Sequence, residues 1–237
     1  MDWLDRTRLL LGDEKLNRLK NAHVLVAGLG GVGAYAAEML CRAGIGKLTL
    51  IDSDCVETTN LNRQLPATRS NIGRLKTEVL AERFWDINPD LDLDLYPVFL
   101  EEEHMISILG RKYDYVVDAI DTLKPKSLFL FHAFQNGQKI VSSMGSGGKI
   151  QPEKVQIADI SQSYHCHLAR MLRKRLSKMG IKKGIRVVFS PEEIPGHAIR
   201  PEEGRNKKST VGTLSFMPPV FGCFIASVVI RDLTGLS

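Results

Sequence analysis

A glycine-rich turn after a short apolar segment is the feature that most constrains the fold. The segment 24–27 predicts a buried strand, and the glycines that follow it have the GxGxxG spacing, at Gly28, Gly30, Gly31 and Gly33. A helical pattern at 32–42 and an apolar strand at 47–51 complete a βαβ unit. In such a unit the glycines let the backbone approach a phosphate at a helix N-terminus, where free N–H groups and the dipole favour anions. The pattern therefore predicts a nucleotide-binding α/β domain.

The residues after the second strand narrow the choice of nucleotide. Asp52 ends that strand about 20 residues after the last glycine, where a carboxylate can accept hydrogen bonds from both ribose hydroxyls. The segment NLNRQ then supplies Asn60, Asn62, Arg63 and Gln64, and Lys76 follows on a predicted helix. A polyphosphate needs cations and amide donors beyond the helix terminus, whereas a dinucleotide site does not need this cluster. We therefore expect ATP rather than NAD.

Three segments, GLGGVG, IDSD and NLNRQ, together with the position of Lys76, resemble the ubiquitin-activating (E1-like) adenylating family. The segment YDYVVDAIDTLKPK is similar to the tRNA threonylcarbamoyladenosine dehydratase branch of that family. The resemblance covers nearly the whole chain. It implies a Rossmann-like, E1-type α/β fold, whose largely parallel sheet is continued by antiparallel strands, in one adenylating domain over residues 1–237. It also implies a homodimer in which Arg6 or Arg8 of one subunit reaches the phosphates of the other.

Adenylation joins a carboxylate to the α-phosphate of ATP and releases pyrophosphate. It requires positioned ATP, magnesium, and cations around the reacting phosphorus. Arg63 and Lys76 are the natural cations. Asp121 is the natural Mg²⁺ ligand, because a hard cation takes oxygen ligands and only one or two protein carboxylates. In the resembled family the matching aspartate has this role.

Other polar residues near this set have weaker claims. Asp118 lies at the end of a predicted strand and has an alternative claim to the metal, but we expect it to cap the strand end or the following turn. Asp54 could serve at the nucleotide or the metal, although such a residue is more often part of a turn. We also expect Thr122, directly after Asp121, to be one of the nucleotide-binding residues. Asn60 and Asn62 could anchor phosphate or ribose or be structural loop residues, and the motif favours a functional role for at least Asn60.

The four cysteines, at positions 41, 55, 166 and 223, predict neither a disulfide framework nor a zinc site. None lies in a CxxC pair, so the spacing for tetrahedral zinc is missing and no zinc is expected. The resembled activators of sulfur-carrier proteins have two such pairs, and the chain departs from them here. Cys166 lies between two histidines. Because adjacent residues on a helix diverge, we expect neither a catalytic thiol nor a metal site there.

The chain is mildly basic, with a net charge of +5 and a pI of about 9.0, which permits an anionic partner. Between residues 164 and 190 eight Lys and Arg residues occur without an acidic one. In a helix predicted over 164–179, Arg170, Arg173 and Lys174 share a face that Lys178 extends. Phosphate contacts dominate nucleic-acid affinity, so this face predicts a contact with tRNA. A solvated basic helix is the alternative.

The resemblance implies an ATP-dependent enzyme that activates the carboxylate of N6-threonylcarbamoyladenosine next to the anticodon of tRNA. The product is cyclic, with a net loss of water. The alternative is an activator that adenylates the C-terminus of a ubiquitin-like or sulfur-carrier protein. A third hypothesis, a non-catalytic NAD-binding regulator, is opposed by NLNRQ and Lys76. A relay partner, a cysteine desulfurase or sulfur-acceptor protein, is a further candidate that the sequence leaves open.

The remaining patterns predict the helices, strands and loops outside the βαβ unit. Residues 1–20 predict a helical arm, and residues 191–213, rich in Pro, Gly and charge, predict a mobile loop. Helices are predicted at 74–86, 101–109, 124–134 and 164–179, strands at 91–98, 113–119 and 153–160, a strand with a glycine turn at 139–150, and a last strand or turn before a C-terminal core helix. The charged N-terminus differs from a signal sequence, and the longest apolar run, 220–230, is too short to span a bilayer. We expect a reduced, cytoplasmic protein without a membrane span.

Overall fold

A seven-stranded sheet forms the centre of the computed structural model, which describes residues 2–201 and 209–236. Its strands are β1 (His23–Ala27), β2 (Lys47–Ile51), β3 (Asp92–Tyr96), β4 (Tyr115–Asp118), β5 (Ile140–Ser143), β6 (Gln156–Asp159) and β7 (Arg186–Phe189). Their order is β3-β2-β1-β4-β5-β7-β6, and all neighbours are parallel except β6, which pairs antiparallel with β7. The predicted fold class, a largely parallel sheet continued by an antiparallel strand, is confirmed.

Eight helices of the described residues pack around the sheet. They are α1 (Asp5–Leu11), α2 (Asp13–Lys20), α3 (Gly33–Arg42), α4 (Lys76–Ile87), α5 (Glu102–Leu109), α6 (Leu123–Gln135), α7 (His167–Lys178) and α8 (Met217–Thr234). Successive side chains of a strand point to opposite faces. In β1, accordingly, Val24 and Val26 join a core with α2, α3, α4 and α8, whereas Leu25 and Ala27 join a second core with α5, α6 and α7. The apolar strands predicted from sequence are therefore covered on both faces.

The strand order reverses direction between β1 and β4. The chain runs outward from β1 through β2 to β3 and then returns to place β4 on the other side of β1. The register aligns Ala27 with both Ile51 and Asp118, so three strands end at the same level. Ligands of open α/β sheets bind in the crevice at such a switch point, beyond the carboxyl ends of the strands. This places the glycine turn, Asp52 and the segment after β4 together.

Several element boundaries differ from the predictions. The N-terminal arm is two helices, α1 and α2, because the chain turns at Gly12 with φ of 77°. The predicted mobile loop 191–213 contains a small hairpin of β8 (Ile199–Pro201) and β9 (Ser209–Val211), and its part 202–208 lies outside the described residues. No strand was predicted at β7, because its four residues follow a run of cations and lack a strand-like alternation.

The last helix, α8, is long and apolar enough to cross a membrane by length and composition, and it alone meets that test in the described part of the chain. Half of it is buried. A methyl group at Gly222 would lie 2.7 Å from the carbonyl oxygen of Val32, so α8 packs directly on the start of α3. Proline at 218 and 219 suits its first turn. We interpret α8 as the predicted core helix.

Candidate active site

The glycine turn fits tightly between the ends of three strands. Gly28 has a φ of 87°, and its N–H donates to the carbonyl oxygen of Ile51 at 2.8 Å. A Cβ at Gly28 would lie 2.7 Å from the carbonyl oxygen of Ala119. A Cβ at Gly33 would lie only 1.8 Å from the carbonyl oxygen of Gly28. Gly28 and Gly33 are therefore required for packing the turn and the start of α3 against the sheet.

Gly30 and Gly31 occupy different surroundings in the same turn. A Cβ at Gly31 would meet the side chain of Pro218 at 2.9 Å. At Gly30 the nearest heavy atom would be Nε2 of Gln64 at 3.8 Å. Gly30 therefore faces open space at the mouth of the crevice, where a side chain would compete with a ligand rather than with the fold.

The carboxylate of Asp52, at the end of β2, is hydrogen-bonded to the glycine turn. One carboxylate oxygen accepts from the N–H of Leu29 at 2.6 Å and the other accepts from the N–H of Asp54 at 2.8 Å. Burial raises the pKa of Asp52, while Lys76 and these two N–H groups oppose the shift. A carboxylate offers about four lone-pair sites, so roughly two remain for the hydroxyls of a ribose.

Lys76 enters the site from the first turn of α4. Its side chain is 5% exposed, and Nζ lies 2.8 Å from a carboxylate oxygen of the exposed Asp54. The backbone repeats this link, because the N–H of Lys76 donates to the carbonyl oxygen of Asp54 at 3.1 Å. Asp54 is thus the partner that holds Lys76 in this structure.

The NLNRQ segment is tied together by its own side chains. Asn60 is buried, and its Oδ1 accepts from the N–H of Glu57 at 3.1 Å across the turn Thr58–Asn60. This contact corresponds to the structural loop role, which was the alternative to a nucleotide-binding role for Asn60. Arg63 donates through Nη1 to the carbonyl oxygen of Thr59 at 2.9 Å and to Oδ1 of Asn62 at 2.8 Å. Its guanidinium is therefore held by short local contacts at the crevice.

Two further contacts of this segment reach other parts of the crevice. Nδ2 of Asn62 donates to the carbonyl oxygen of Thr213 at 3.0 Å, which fastens the segment to the chain just before α8. Oε1 of Gln64 is buried and has no hydrogen-bond partner among the described residues. A buried acceptor without a donor in the protein is suited to bind a donor group of a ligand.

A fully buried ion pair underlies the turn after β4. Nζ of Lys126 lies 2.6 Å from Oδ2 of Asp118, and both side chains are 0% exposed. The same Asp118 oxygen accepts from Oγ of Ser142 at 2.6 Å, and its other oxygen accepts from the N–H of Ile120 at 3.1 Å. Nζ of Lys126 also donates to the carbonyl oxygen of Ile120 at 3.0 Å. The structure thus places Asp118 at the strand end and turn, and Lys126 is a partner that the sequence analysis missed.

Asp121 has a different position from Asp118, although only three residues separate them. Asp121 is exposed at the carboxyl edge of β4, and Thr122 follows it as the N-cap position of α6. Among the described residues no group of three or more His, Cys, Asp or Glu residues could hold a metal ion. A single exposed carboxylate suits Mg²⁺, which keeps water and substrate phosphates as its other ligands.

The glycine turn after β5 is attached to the segment after β7. Gly148 has a φ of 70°, and its N–H donates to the carbonyl oxygen of Gly212 at 2.7 Å. Nζ of the buried Lys149 donates to the carbonyl oxygen of Glu192. Burial lowers the pKa of Lys149, although Cys166 and Glu192 oppose the shift. These contacts fix the position of the predicted glycine turn relative to the segment after β7.

The predicted basic helix begins at His167 rather than Tyr164, with the buried Cys166 at its N-cap. Arg170, Lys174 and Lys178 are exposed on one face of α7. Arg173 is half-buried instead, and its Nη1 donates to the carbonyl oxygen of Ser163 at 2.7 Å. Arg173 therefore differs from the other three cations of the predicted face, because its angular position lies nearer the buried residues of α7.

Comparisons with known proteins agree with this architecture. The model of the ThiF family matches residues 4–237. The chain belongs to the ThiF family. Within this family it is 38% identical to the tRNA threonylcarbamoyladenosine dehydratase of Bacillus subtilis over 236 residues, which cover 96% of this chain and 93% of that protein. The branch predicted from YDYVVDAIDTLKPK is thereby confirmed.

Solved structures of the same ThiF-family branch have the same fold. The E. coli tRNA N6-threonylcarbamoyladenosine dehydratase in complex with ATP superposes with a TM-score of 0.89 at 34% identity, covering 98% of this chain and 93% of that chain. Its complex with AMP gives a TM-score of 0.88 at 34% identity, with the same coverage of both chains. Nucleotide complexes are therefore established for close structural relatives of this ThiF-family chain.

Proposed function

We propose that this protein is an ATP-dependent tRNA threonylcarbamoyladenosine dehydratase. The observation that carries the proposal is its similarity, over nearly the full length of both chains, to a dehydratase whose structures hold ATP and AMP. The crevice is compatible with that nucleotide, since it combines an open position at Gly30, a ribose-binding carboxylate at Asp52 and a cation at Arg63. A cytoplasmic location is part of the proposal and is compatible with a tRNA substrate.

The reaction has two steps. The carboxylate of threonylcarbamoyladenosine attacks the α-phosphorus of ATP, and pyrophosphate leaves. The carbamoyl oxygen of the same nucleoside then attacks the acyl carbon, a proton is released, and AMP leaves as the ring closes. The nucleophile of the second step belongs to the substrate, so no protein thiol is required, in keeping with the burial of Cys166.

Each candidate residue has a role in positioning ATP or stabilising charge on its phosphates. Asp52 accepts from the ribose hydroxyls, while Arg63 and Lys76 stabilise the charge that develops at the α-phosphate. The rest of the nucleotide site is formed by four glycines and five polar residues: Gly28, Gly30, Gly31, Gly33, Asp54, Asn60, Asn62, Gln64 and Thr122. Asp121 would hold Mg²⁺, and bound Mg²⁺ would supply charge neutralisation to the phosphates.

The exposed face of α7 is the tRNA contact in this proposal. Arg170, Lys174 and Lys178 point away from the core and can bind backbone phosphates. Contacts of this type fix the position of the tRNA without reading its sequence. Arg173 contributes by holding the turn before α7 rather than by binding phosphate.

A homodimer completes the proposal. Leu9 and Leu10 of α1 are 87% and 85% exposed, which gives the N-terminal arm an apolar surface available to a second subunit. Arg8 is engaged within its own arm by Asp2, Asp5 and Asp13. Arg6 is therefore the better candidate to reach the partner's phosphates. A cysteine-desulfurase or sulfur-acceptor protein is a further candidate partner, related to the chain only through the family.

Substitution of Gly30 by alanine separates ATP binding from folding. The methyl group would enter open space at the crevice, so the melting temperature should stay unchanged. ATP affinity should fall by about tenfold or more, because the methyl occupies the path of the phosphates; tenfold is about 1.4 kcal/mol of binding free energy. Calorimetric titration with ATP measures the loss. A Gly30→Ala variant that binds ATP as the parent does would remove Gly30 from the phosphate-binding turn.

The activity itself is tested by asking which macromolecule stimulates ATP turnover. The protein is incubated with ATP and Mg²⁺ and either tRNA carrying threonylcarbamoyladenosine, the same tRNA without the modification, or a ubiquitin-like protein. We expect AMP and pyrophosphate only with the modified tRNA, together with a nucleoside lighter by one water in mass spectrometry. Stimulation by the ubiquitin-like protein instead would favour the protein-activating alternative.

A further inference from the structure

Two exposed aromatic rings stand at the head of the basic helix. Tyr164 is 46% exposed, yet its ring contacts Phe189 edge to face, with centroids 5.6 Å apart. Its hydroxyl group lies 3.2 Å from Nε2 of Gln156. The exposed ring of His165 stands edge to face against Tyr164 at 5.4 Å. The rings are thus fixed in orientation while part of their surface stays open to solvent.

The backbone of this aromatic turn, residues 164–165, is held in an uncommon conformation. His165 has a φ of 50°, and it is the single non-glycine residue with positive φ in the ranges 2–201 and 209–236. Such conformations persist where surrounding contacts enforce them, and they are concentrated at functional sites. The half-buried Arg173 provides such contacts, through its bonds to the carbonyl oxygen and to Oγ of Ser163. Ser163 in turn donates to the carbonyl oxygen of Ile160 at 2.7 Å.

The aromatic turn lies on the same edge of the sheet as the nucleotide crevice. Phe189, which supports Tyr164, ends β7, and β7 runs parallel to β5 and therefore to β4. Adjacent strands are about 4.8 Å apart, so β7 lies about 10 Å from β4. A ring supported by Phe189 therefore lies on the edge of the sheet that carries the nucleotide crevice, about two strand spacings from the end of β4.

We propose that Tyr164 and His165 form a stacking platform for an unpaired base of the tRNA loop, a role that rests on the proposed function. Proteins recognise RNA loops mainly by stacking splayed bases on aromatic side chains. The exposed Arg170 and Lys174 follow on the same helix and would bind the phosphates of that loop. The aromatic turn would thus orient the loop, while the cations supply affinity that depends on salt.

The test measures binding of a fluorescently labelled anticodon stem–loop RNA, by anisotropy over a salt titration. Tyr164→Ala should weaken binding by about 5- to 100-fold at every salt concentration, with the salt dependence unchanged. Tyr164→Phe keeps the ring and should bind as the parent does. His165→Gly should weaken binding without loss of stability, because glycine accepts positive φ. Lys174→Gln should instead reduce the slope of affinity against salt by about one phosphate contact.

The outcomes separate the stacking platform from the proposed function. If the parent binds the RNA and Tyr164→Ala binds it equally well, the stacking platform is wrong while a tRNA substrate stands. If the parent does not bind the RNA at all, the proposed function is contradicted, and the platform with it. Titration with ATP alone provides the folding control, since Tyr164→Ala leaves residues 28–76 and Asp121 unchanged.

Discussion

Substitution of Lys126 by methionine is expected to lower the free energy of unfolding by about 3–5 kcal/mol, the usual cost of removing one partner of a buried ion pair. Asp118 would remain fully buried without its countercharge, retaining only the hydroxyl of Ser142 and the N–H of Ile120. Chemical denaturation with urea, followed by circular dichroism, measures the change. The effect should exceed that of any exposed substitution on α6.

Two further variants test the cause of this loss. Lys124→Met changes an exposed lysine in the first turn of the same helix and should alter stability by less than about 0.5 kcal/mol. Lys126→Met combined with Asp118→Leu removes both charges and should recover part of the loss, because the penalty arises from an unpaired buried charge. If the double variant is no more stable than Lys126→Met alone, the ion pair is not the source of the effect.

The ion pair also links stability to the site. Asp118 accepts from the N–H of Ile120, and Lys126 donates to the carbonyl oxygen of Ile120, the residue directly before Asp121. Loss of Lys126 should therefore increase the freedom of the turn that carries Asp121, which we propose as the Mg²⁺ ligand. A positioned ligand contributes to rate only while its geometry is maintained.

Local patterns predicted the nucleotide half of the fold well. The first strand, the helix after it and the second strand follow from apolar periodicity and glycine spacing, since each depends on residues close in sequence. Asp52 was placed correctly at a strand end because the register of a βαβ unit is nearly constant. Apolar periodicity predicted a helix over 74–86 that carries Lys76, and α4 begins at Lys76.

Contacts between distant segments could not be predicted in this way. The bond from Asn62 to Thr213 joins residues 151 positions apart, and no local pattern marks either partner. Lys126 resembles any helical lysine until the fold buries it beside Asp118. Arg173 was grouped with Arg170 and Lys174 by helical spacing, which does not show that a turn at Ser163 will accept its hydrogen bonds.

Substitution of Arg63 by alanine is expected to lower the rate of adenylate formation by about 10²–10³-fold, the usual effect of removing one preorganised donor at developing charge. Arg63 is preorganised because Nη1 is fixed by the carbonyl oxygen of Thr59 and by Oδ1 of Asn62. These contacts orient the planar guanidinium before ATP arrives. Release of pyrophosphate in the presence of modified tRNA measures the rate.

Matched variants separate charge from geometry at this position. Arg63→Lys keeps the cation but loses the planar fork, so its rate should lie between those of the parent and of Arg63→Ala. Arg69→Ala removes an exposed arginine six residues further along the same loop and should leave the rate unchanged. A fall of less than about tenfold for Arg63→Ala, with ATP affinity intact, would contradict a role at the transferred phosphate. The charge on that phosphate would then have to be stabilised mainly by Lys76, whose ammonium is held at the crevice by Asp54.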